Sequence, residues 1–202
     1  MTTRLYALIM SALVLSGCAA VATTAATGVG VATAQDRSYG ESVDDNLIYA
    51  KLNEKFLNAD VNDLLVNVTV NVRHKRVMLT GNVEKEETAA RAAQLAWQVQ
   101  KVDEVINEII VAPDTSAWDV ANDLAIKKNL ETRLLLTKDV WVINYSIDVV
   151  NGTVYLLGNC YTEAEREKAL SVARTTKGVK KVVSHLRVAG GTPPGLGGAS
   201  DQ

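Results

Sequence analysis

Apolar residues in this chain recur at two regular spacings, four residues apart and two residues apart. Ile48, Leu52 and Phe56 stand four apart, which predicts a helix with one buried face. The segment that follows alternates strictly between apolar and polar residues and predicts a half-buried strand. The residues expected to point inward from this strand are Val66, Val68, Val70 and Val72.

The same pattern occurs twice in the sequence. Gly81 closes the run Val-Met-Leu-Thr-Gly, and Gly158, 77 residues later, closes the run Val-Tyr-Leu-Leu-Gly. The first helices are 78 residues apart, since Ile48 corresponds to Ile126, so the second copy lacks one residue between its first helix and first strand. Two repeats of about seventy residues result, which is a workable size for a domain.

Turn and capping signals complete the elements. Asn151-Gly152 predicts a tight hairpin turn in the second repeat, where the first repeat has the basic run from Arg73 to Arg76. Thr162 and Glu165 have capping-box spacing, so Thr162 is expected to cap the free amides of a second helix and Glu165 to return the bond.

A third strand closes each repeat, over Val105 to Val111 in the first and Val182 to Val188 in the second. The predicted order is therefore αββαβ, twice. Two helices cannot bury their apolar faces alone, and a three-stranded sheet offers them one face. We therefore assign the fold class as α+β, with two tandem two-layer sandwiches.

The start of the chain has the features of an export signal. Arg4 and the terminal amine precede an apolar run of 11 residues, Leu5 to Leu15. The run is too short to span a bilayer, which takes about 20 residues, and it fits the apolar region of a signal peptide. The ending Leu15-Ser16-Gly17-Cys18 resembles the lipobox of bacterial lipoproteins, which implies a covalent lipid on Cys18. In such signals Ala19, rather than Asp, favours sorting to the outer membrane.

These observations divide the chain into six segments. Apart from the lipid on Cys18 we expect no cofactor. The expected boundaries are a lipoprotein signal peptide at 1–17, the lipidated Cys and a flexible tether at 18–40, the first repeat at 41–112, a linker at 113–117, the second repeat at 118–189 and a disordered tail at 190–202.

Net charge separates the two repeats, although the whole chain carries only −2. Residues 41–111 hold 8 basic and 12 acidic residues, a net of −4, whereas residues 118–188 hold 11 basic and 8 acidic residues, a net of +3. A basic domain facing anionic headgroups gains about 1 kcal/mol for each Lys or Arg near the surface. The second repeat is therefore the one expected to face an anionic membrane.

Residues that carry catalysis or bind metals are sparse. The sequence contains neither a convincing Gly-rich phosphate loop nor a nucleophile elbow. His74, in a basic turn, and His185, in a strand, are expected to be structural or solvent-facing. Cys160 is expected in a loop position as a small apolar residue, where the first repeat has Val83. We expect no catalytic site, no metal site and no nucleic-acid partner.

The repeated pattern resembles the BON domain. In the second repeat the resemblance rests on the run from Asn151 to Gly158 and the run from Lys177 to Val182. It covers nearly the whole chain after Cys18, and it implies phospholipid association, a role in envelope integrity and no catalysis. A lipobox, a short tether and two BON domains together are similar to a group of outer-membrane lipoproteins. Paired BON domains are also similar to a soluble, unlipidated relative.

The resemblance further implies that the first helix of the second repeat binds anionic lipid, aided by a Trp at its start. That Trp position falls on Ala125 here, and the nearest upstream Trp is Trp118, about two helical turns earlier. The candidate phospholipid-binding residues are Trp118, Lys127, Lys128, Arg133, Leu135 and Lys138. The alternative is a solvated helix face with Leu135 and Trp141 in the core.

Two functions compete at this point. The first is a non-catalytic outer-membrane lipoprotein on the periplasmic face that binds anionic phospholipid and supports envelope integrity. The second is a stress-related periplasmic chaperone or assembly factor that binds envelope proteins rather than lipid. The first requires lipid binding by the second repeat, and the second requires suppression of client aggregation without lipid.

Overall fold

A computed structural model describes residues 39–112 and 117–190. The predicted signal peptide, Cys18 and nearly all of the predicted tether, linker and tail lie outside the described residues. The first repeat consists of α1 (Tyr39–Ala59), β1 (Val68–Arg73), β2 (Arg76–Val83), α2 (Glu86–Trp97), β3 (Glu104–Asn107) and β4 (Ile110–Val111). The second consists of α3 (Ala117–Leu135), β5 (Tyr145–Val150), β6 (Thr153–Cys160), α4 (Glu163–Arg174) and β7 (Lys181–Val188).

Each repeat forms a sheet with its second strand in the middle. β1 pairs antiparallel with β2, and β3 and β4 pair parallel with β2. β5, β6 and β7 repeat this arrangement, with β7 parallel to β6 along all eight residues. The parallel pairs need a crossover, and α2 and α4 supply it. The predicted αββαβ order is confirmed in both repeats.

Two strand boundaries differ from the prediction in the first repeat. β1 begins at Val68, and Val66 is 70% exposed because it follows a π-helical segment over Val61–Leu65 rather than lying in the sheet. The third strand is broken into β3 and β4. The side chain of Asn107 accepts the N–H of Ile109 at 3.3 Å, and such a local bond competes with the strand ladder.

The helices pack on one face of each sheet, as predicted. In the first repeat the core-facing apolar residues of α1 are buried against the inward residues of β1 and β2, and α2 adds its alanines. The second repeat has an equivalent core. The helix residues that the four-residue spacing placed inward all lie in these cores: Ile48, Leu52, Phe56, Ile126, Leu130 and Leu134.

The second face of each sheet is also covered, because the two repeats pack sheet against sheet. Met78 of β2 meets Tyr155 and Leu157 of β6 in a third apolar cluster that holds residues of both repeats. These side chains alternate with the core residues of the same strands, so β2 and β6 are apolar on both faces. The sequence predicts one buried face for each sheet, whereas both faces are covered in the structure.

Polar contacts surround this apolar cluster. Thr80 donates its hydroxyl to the carboxylate of Asp148, and Arg76 donates to the backbone oxygen of His185 at 3.0 Å. The ring of His185 in turn lies 2.8 Å from Glu108. Because each of these contacts joins one repeat to the other, the described part of the chain is one packed body rather than two independent modules.

Candidate functional site at the end of helix α3

Helix α3 presents one face to the core and leaves the other in solvent. Ile126 and Leu130 are buried, whereas Leu124 is 57% exposed and Lys128 is exposed as well. This follows from the helical period, since residues four apart share a face while Leu124 and Lys128 lie away from that face. α3 therefore has an outer face available for contact with other molecules.

The outer face becomes most apolar at the C-terminal end of α3. Leu135 and Leu136 are 70% and 79% exposed. Lys128 lies about two helical turns before Leu135, and Lys138 lies two residues after Leu136. We call Lys128, Leu135, Leu136 and Lys138 the α3 tip. Within the solvated-face alternative, the placement of Leu135 in the core is wrong, because the helix turns it away from the sheet.

The segment that follows the α3 tip is fastened to helix α4. Lys168 donates to the carboxylate of Asp139 at 2.8 Å and to the backbone oxygen of Lys138 at 3.2 Å. The hydrogen bond from Lys168 also lowers the pKa of Asp139. The exposed leucines are thus displayed from a constrained backbone.

A buried carboxylate holds the same segment from inside the fold. Glu165 is 2% exposed and accepts the N–H of Trp141 at 3.0 Å, the N–H of Tyr161 at 2.8 Å and the hydroxyl of Tyr145. Thr162 caps α4 by accepting the N–H of Glu165 at 3.1 Å, as predicted. The return bond goes to Tyr161 rather than to Thr162, because the carboxylate points into the core. Burial raises the pKa of the Tyr145 hydroxyl, and its hydrogen bonds with Cys160 and Glu165 raise it further. The hydroxyl therefore stays protonated and acts as a donor.

Arg133 is half-buried, and its guanidinium is bound within the fold. Its guanidinium donates to the backbone oxygen of Val172 at 3.1 Å and to the hydroxyls of Thr176 and Thr175 at 2.6 and 3.0 Å. All three acceptors belong to the C-terminal end of α4 and the turn after it. In this arrangement Arg133 clamps α3 to α4.

Lys127 is also engaged within the fold. Its ammonium lies 3.3 Å from the carboxylate of Asp148, the same group that accepts from Thr80 of the first repeat. Lys128, the next residue, is exposed, and its ammonium pairs with Glu131 three residues later in the helix at 2.9 Å. Of the predicted lipid-binding residues, Lys128, Leu135 and Lys138 thus share the exposed end of α3, while Lys127 and Arg133 do not. Trp118 lies in the first turn of α3, and its side chain lies outside the described part of the structure.

A groove separates the N-terminal half of α3 from the first repeat. Its volume is about 390 Å³, and its apolar wall includes Val66, Val120 and Leu124, which are all more than half exposed. Lys127 and Asp148 lie at its polar side. This groove could not be predicted from the sequence, because residues of both repeats line it and meet only when the repeats pack together.

Cys160 ends β6 and lies in the core, 1% exposed, rather than in the predicted loop. The prediction that it behaves as a small apolar residue is confirmed by this burial. Its thiol donates to the hydroxyl of Tyr145 at 3.4 Å. Burial raises the pKa of the thiol to about 11.

Within residues 39–112 and 117–190, the structure contains no cluster of three or more His, Cys, Asp or Glu side chains placed to hold a metal ion. Over the same residues, no helix combines the length and the apolar character that a membrane span requires.

The two repeats of the fold coincide with two matches to a known domain family. Residues 44–113 and 122–190, more than half of the chain, each match the BON domain. The chain belongs to the BON domain family. The first and second repeats are therefore its first and second BON domains.

Three relatives are similar to this chain over most of its length. The outer membrane lipoprotein DolP of Haemophilus influenzae is 30% identical over 185 residues, which cover 89% of this chain and 93% of DolP. An uncharacterized protein of Anaplasma centrale is 34% identical over 147 residues, 72% of this chain and 95% of that protein. Osmotically-inducible protein Y of Escherichia coli is 29% identical over 150 residues, 73% of this chain and 74% of that protein.

Proposed function

We propose that this chain is a non-catalytic outer-membrane lipoprotein, anchored through Cys18, whose second BON domain binds anionic phospholipid on the periplasmic face and supports envelope integrity. The observation that carries the proposal is the α3 tip. It combines two exposed leucines with two exposed lysines on a constrained backbone. Apolar side chains beside cations are what an anionic membrane surface attracts.

Charge supports the same orientation. The second BON domain carries +3 and the first −4, counted over residues 118–188 and 41–111. An anionic surface therefore attracts the side of the molecule that carries the α3 tip and repels the other. The similarity to an outer membrane lipoprotein over 89% of this chain supports an envelope-related role and the assignment of Cys18 as the lipid attachment site.

The test is vesicle flotation of the chain from residue 19 onward, which lacks Cys18 and so binds through protein contacts alone. Vesicles of phosphatidylglycerol mixed with phosphatidylethanolamine are compared with vesicles of phosphatidylcholine, over a series of salt concentrations. We expect binding only to the anionic vesicles and weaker binding at high salt, because salt screens exposed charges. Both BON domains are kept, since each covers one face of the other's sheet.

Matched variants locate the contact. Lys128→Glu is expected to reduce binding roughly fivefold or more, since one basic residue contributes about 1 kcal/mol. The double variant Leu135→Ser/Leu136→Ser is expected to reduce binding by a similar factor, because it removes the apolar side chains that would enter the bilayer. Lys85→Glu, at an exposed lysine of the first domain, and Leu124→Ser, at an exposed leucine of the same helix, are the controls. Unchanged binding in both α3-tip variants sinks the proposed site.

Failure of the wild-type chain to bind any vesicle leaves the chaperone or assembly function as the leading account. One observation favours that second candidate, namely the groove with its wall of Val66, Val120 and Leu124. The chaperone function predicts that the chain slows aggregation of an unfolded envelope protein in the absence of lipid. It also predicts that Leu124→Ser, in the wall of the groove, weakens this effect.

A further inference from the structure

Helix α1 carries a second apolar line on the face opposite its core residues. Val43, Leu47 and Leu57 are 42%, 52% and 50% exposed, and Ala50 between them is exposed too. With Glu54, these positions are spaced by four, three, four and three residues, the heptad spacing with which helices pair. The line spans 15 residues, from Val43 to Leu57, which is about 21 Å of helix.

The second BON domain supplies an internal comparison. The two first helices share their core residues, since Ile48, Leu52 and Phe56 correspond to Ile126, Leu130 and Leu134. They differ on the outer line. At the positions of Val43, Leu47, Ala50, Glu54 and Leu57, α3 has Ala121, Ala125, Lys128, Thr132 and Leu135. The apolar line is therefore specific to α1 and is not needed to build the fold.

A membrane is a poor partner for this line. Glu54 lies within it with a side chain that is 58% exposed, and the first BON domain carries −4. An anionic bilayer repels both. A helix with the same spacing of apolar residues fits the line better, since each side chain can pack between residues of the facing helix.

We propose that this line pairs two copies of the chain, with the two α1 helices antiparallel and crossing at Ala50. A two-fold contact brings the same surface of each copy together, so the line needs no other partner. The small side chain of Ala50 at the midpoint allows close approach of the helices. Val43 of one copy then faces Leu57 of the other.

Charges on one flank of α1 match the antiparallel arrangement. Asp44 and Lys55 lie on the same flank, because both reach the segment after α2: Lys101 donates to Asp44 at 2.6 Å, and Lys55 donates to Gln98 at 3.3 Å. Asp44 is six residues before Ala50 and Lys55 is five residues after it. An antiparallel crossing at Ala50 therefore places Asp44 of each copy near Lys55 of the other.

The association is expected to be reversible. Stable dimers bury about 1,200–2,000 Å² in total, and one helix from each copy gives an interface at or below the small end of that range. The proposal concerns the first BON domain and does not depend on lipid binding by the second. Its test is therefore made without lipid, and the two proposals can fail separately.

The experiment is sedimentation velocity of the chain from residue 19 onward, from micromolar to millimolar concentration. We expect a shift from monomer to dimer as concentration rises. Leu47→Lys is expected to weaken dimerisation roughly tenfold or more, equivalent to about 1.4 kcal/mol. Leu124→Lys, at a similarly exposed leucine of α3, is the control and is expected to leave it unchanged.

Disulfide trapping tests the geometry. Under mild oxidation Ala50→Cys is expected to give a covalent dimer, while Asn58→Cys, near the end of the same helix, does not. Leu57→Cys reports orientation, because it cross-links with itself in a parallel pair but with Val43→Cys in an antiparallel one. A chain that stays monomeric at every concentration, or equal trapping at Ala50→Cys and Asn58→Cys, overturns the proposal.

Discussion

Asp45 and Asp123 hold the same place in the two BON domains and make the same pair of hydrogen bonds. Asp123, on α3, accepts the backbone N–H groups of Asn151 and Gly152 at 2.6 and 2.8 Å. Asp45, on α1, accepts the backbone N–H groups of His74 and Lys75 at 3.0 and 2.8 Å. In each domain a helix carboxylate thus fastens the first helix to the hairpin turn.

Removing the carboxylate of Asp123 should destabilise the whole fold. Asp123 is 8% exposed, and each hydrogen bond to a charged group contributes about 1.5–3 kcal/mol. We expect Asp123→Ala to lower the free energy of unfolding by about 2–4 kcal/mol and Asp123→Asn by less, since the amide keeps one acceptor oxygen. Urea unfolding measures both. Asn122→Ala, at the exposed neighbour on the same helix, should change little, and an equal loss there contradicts the account.

Local spacing was enough to predict the α-helices and the order of the strands, although not every strand boundary. The four-residue spacing of Ile126 and Leu130 and the alternation in β1 and β5 record which face of each element meets the core. The turn in the first domain shows where such signals weaken. His74 and Lys75 both have positive φ angles, 52° and 58°, although neither is Gly or Asn. Asp45, distant in sequence, stabilises that turn by accepting both N–H groups.

The candidate site was predicted less completely, because sequence spacing does not show what a side chain meets across the fold. Arg133 and Lys128 are alike as basic residues of one helix. Only the packing of α3 against α4 gives Arg133 three acceptors and leaves Lys128 exposed. Leu136 was not among the predicted site residues, yet it is 79% exposed at the α3 tip. A Leu-Leu-Leu run that continues past the last core position was the available signal.

The sheet-to-sheet contact predicts that the two domains unfold together. Trp97 lies in the first domain and Trp141 in the second, so variants that keep one Trp each report one domain. We expect coincident denaturation curves from both probes. Leu157→Ala, in the shared cluster, should lower the stability seen by both probes by about 2–5 kcal/mol, whereas Leu135→Ala at the surface should cost less than about 0.5 kcal/mol. Separate transitions for the two probes refute a single packed body.

Cys160 should be unreactive in the folded protein. Its thiol is buried, and burial raises its pKa to about 11, so little thiolate forms at pH values near 8. We expect the chain from residue 19 onward to react with a thiol reagent only at the rate of its unfolding, and at once in denaturant. Glu84→Cys, at an exposed position, provides the rapid control in a Cys160→Val background. Rapid labelling of folded wild-type chain contradicts this prediction.

Acid should weaken the contact between the two domains at Glu104, whose carboxylate accepts from Arg187 of β7 at 2.8 Å. Burial raises the pKa of this carboxyl, but the hydrogen bond and charge of Arg76 and the charge of Arg187 outweigh burial and lower it below 4.5. Because the folded pKa is the lower one, the stabilisation is present above pH 4.5 and is lost as pH falls through the folded value. Glu104→Gln should therefore be less stable than wild type at neutral pH, and the difference should shrink in acid. Urea unfolding of both proteins from neutral pH to below pH 4.5 measures this difference in the free energy of unfolding. A Glu104→Gln difference that stays constant with pH, or that equals the difference for exposed Glu84→Gln, rules out this origin.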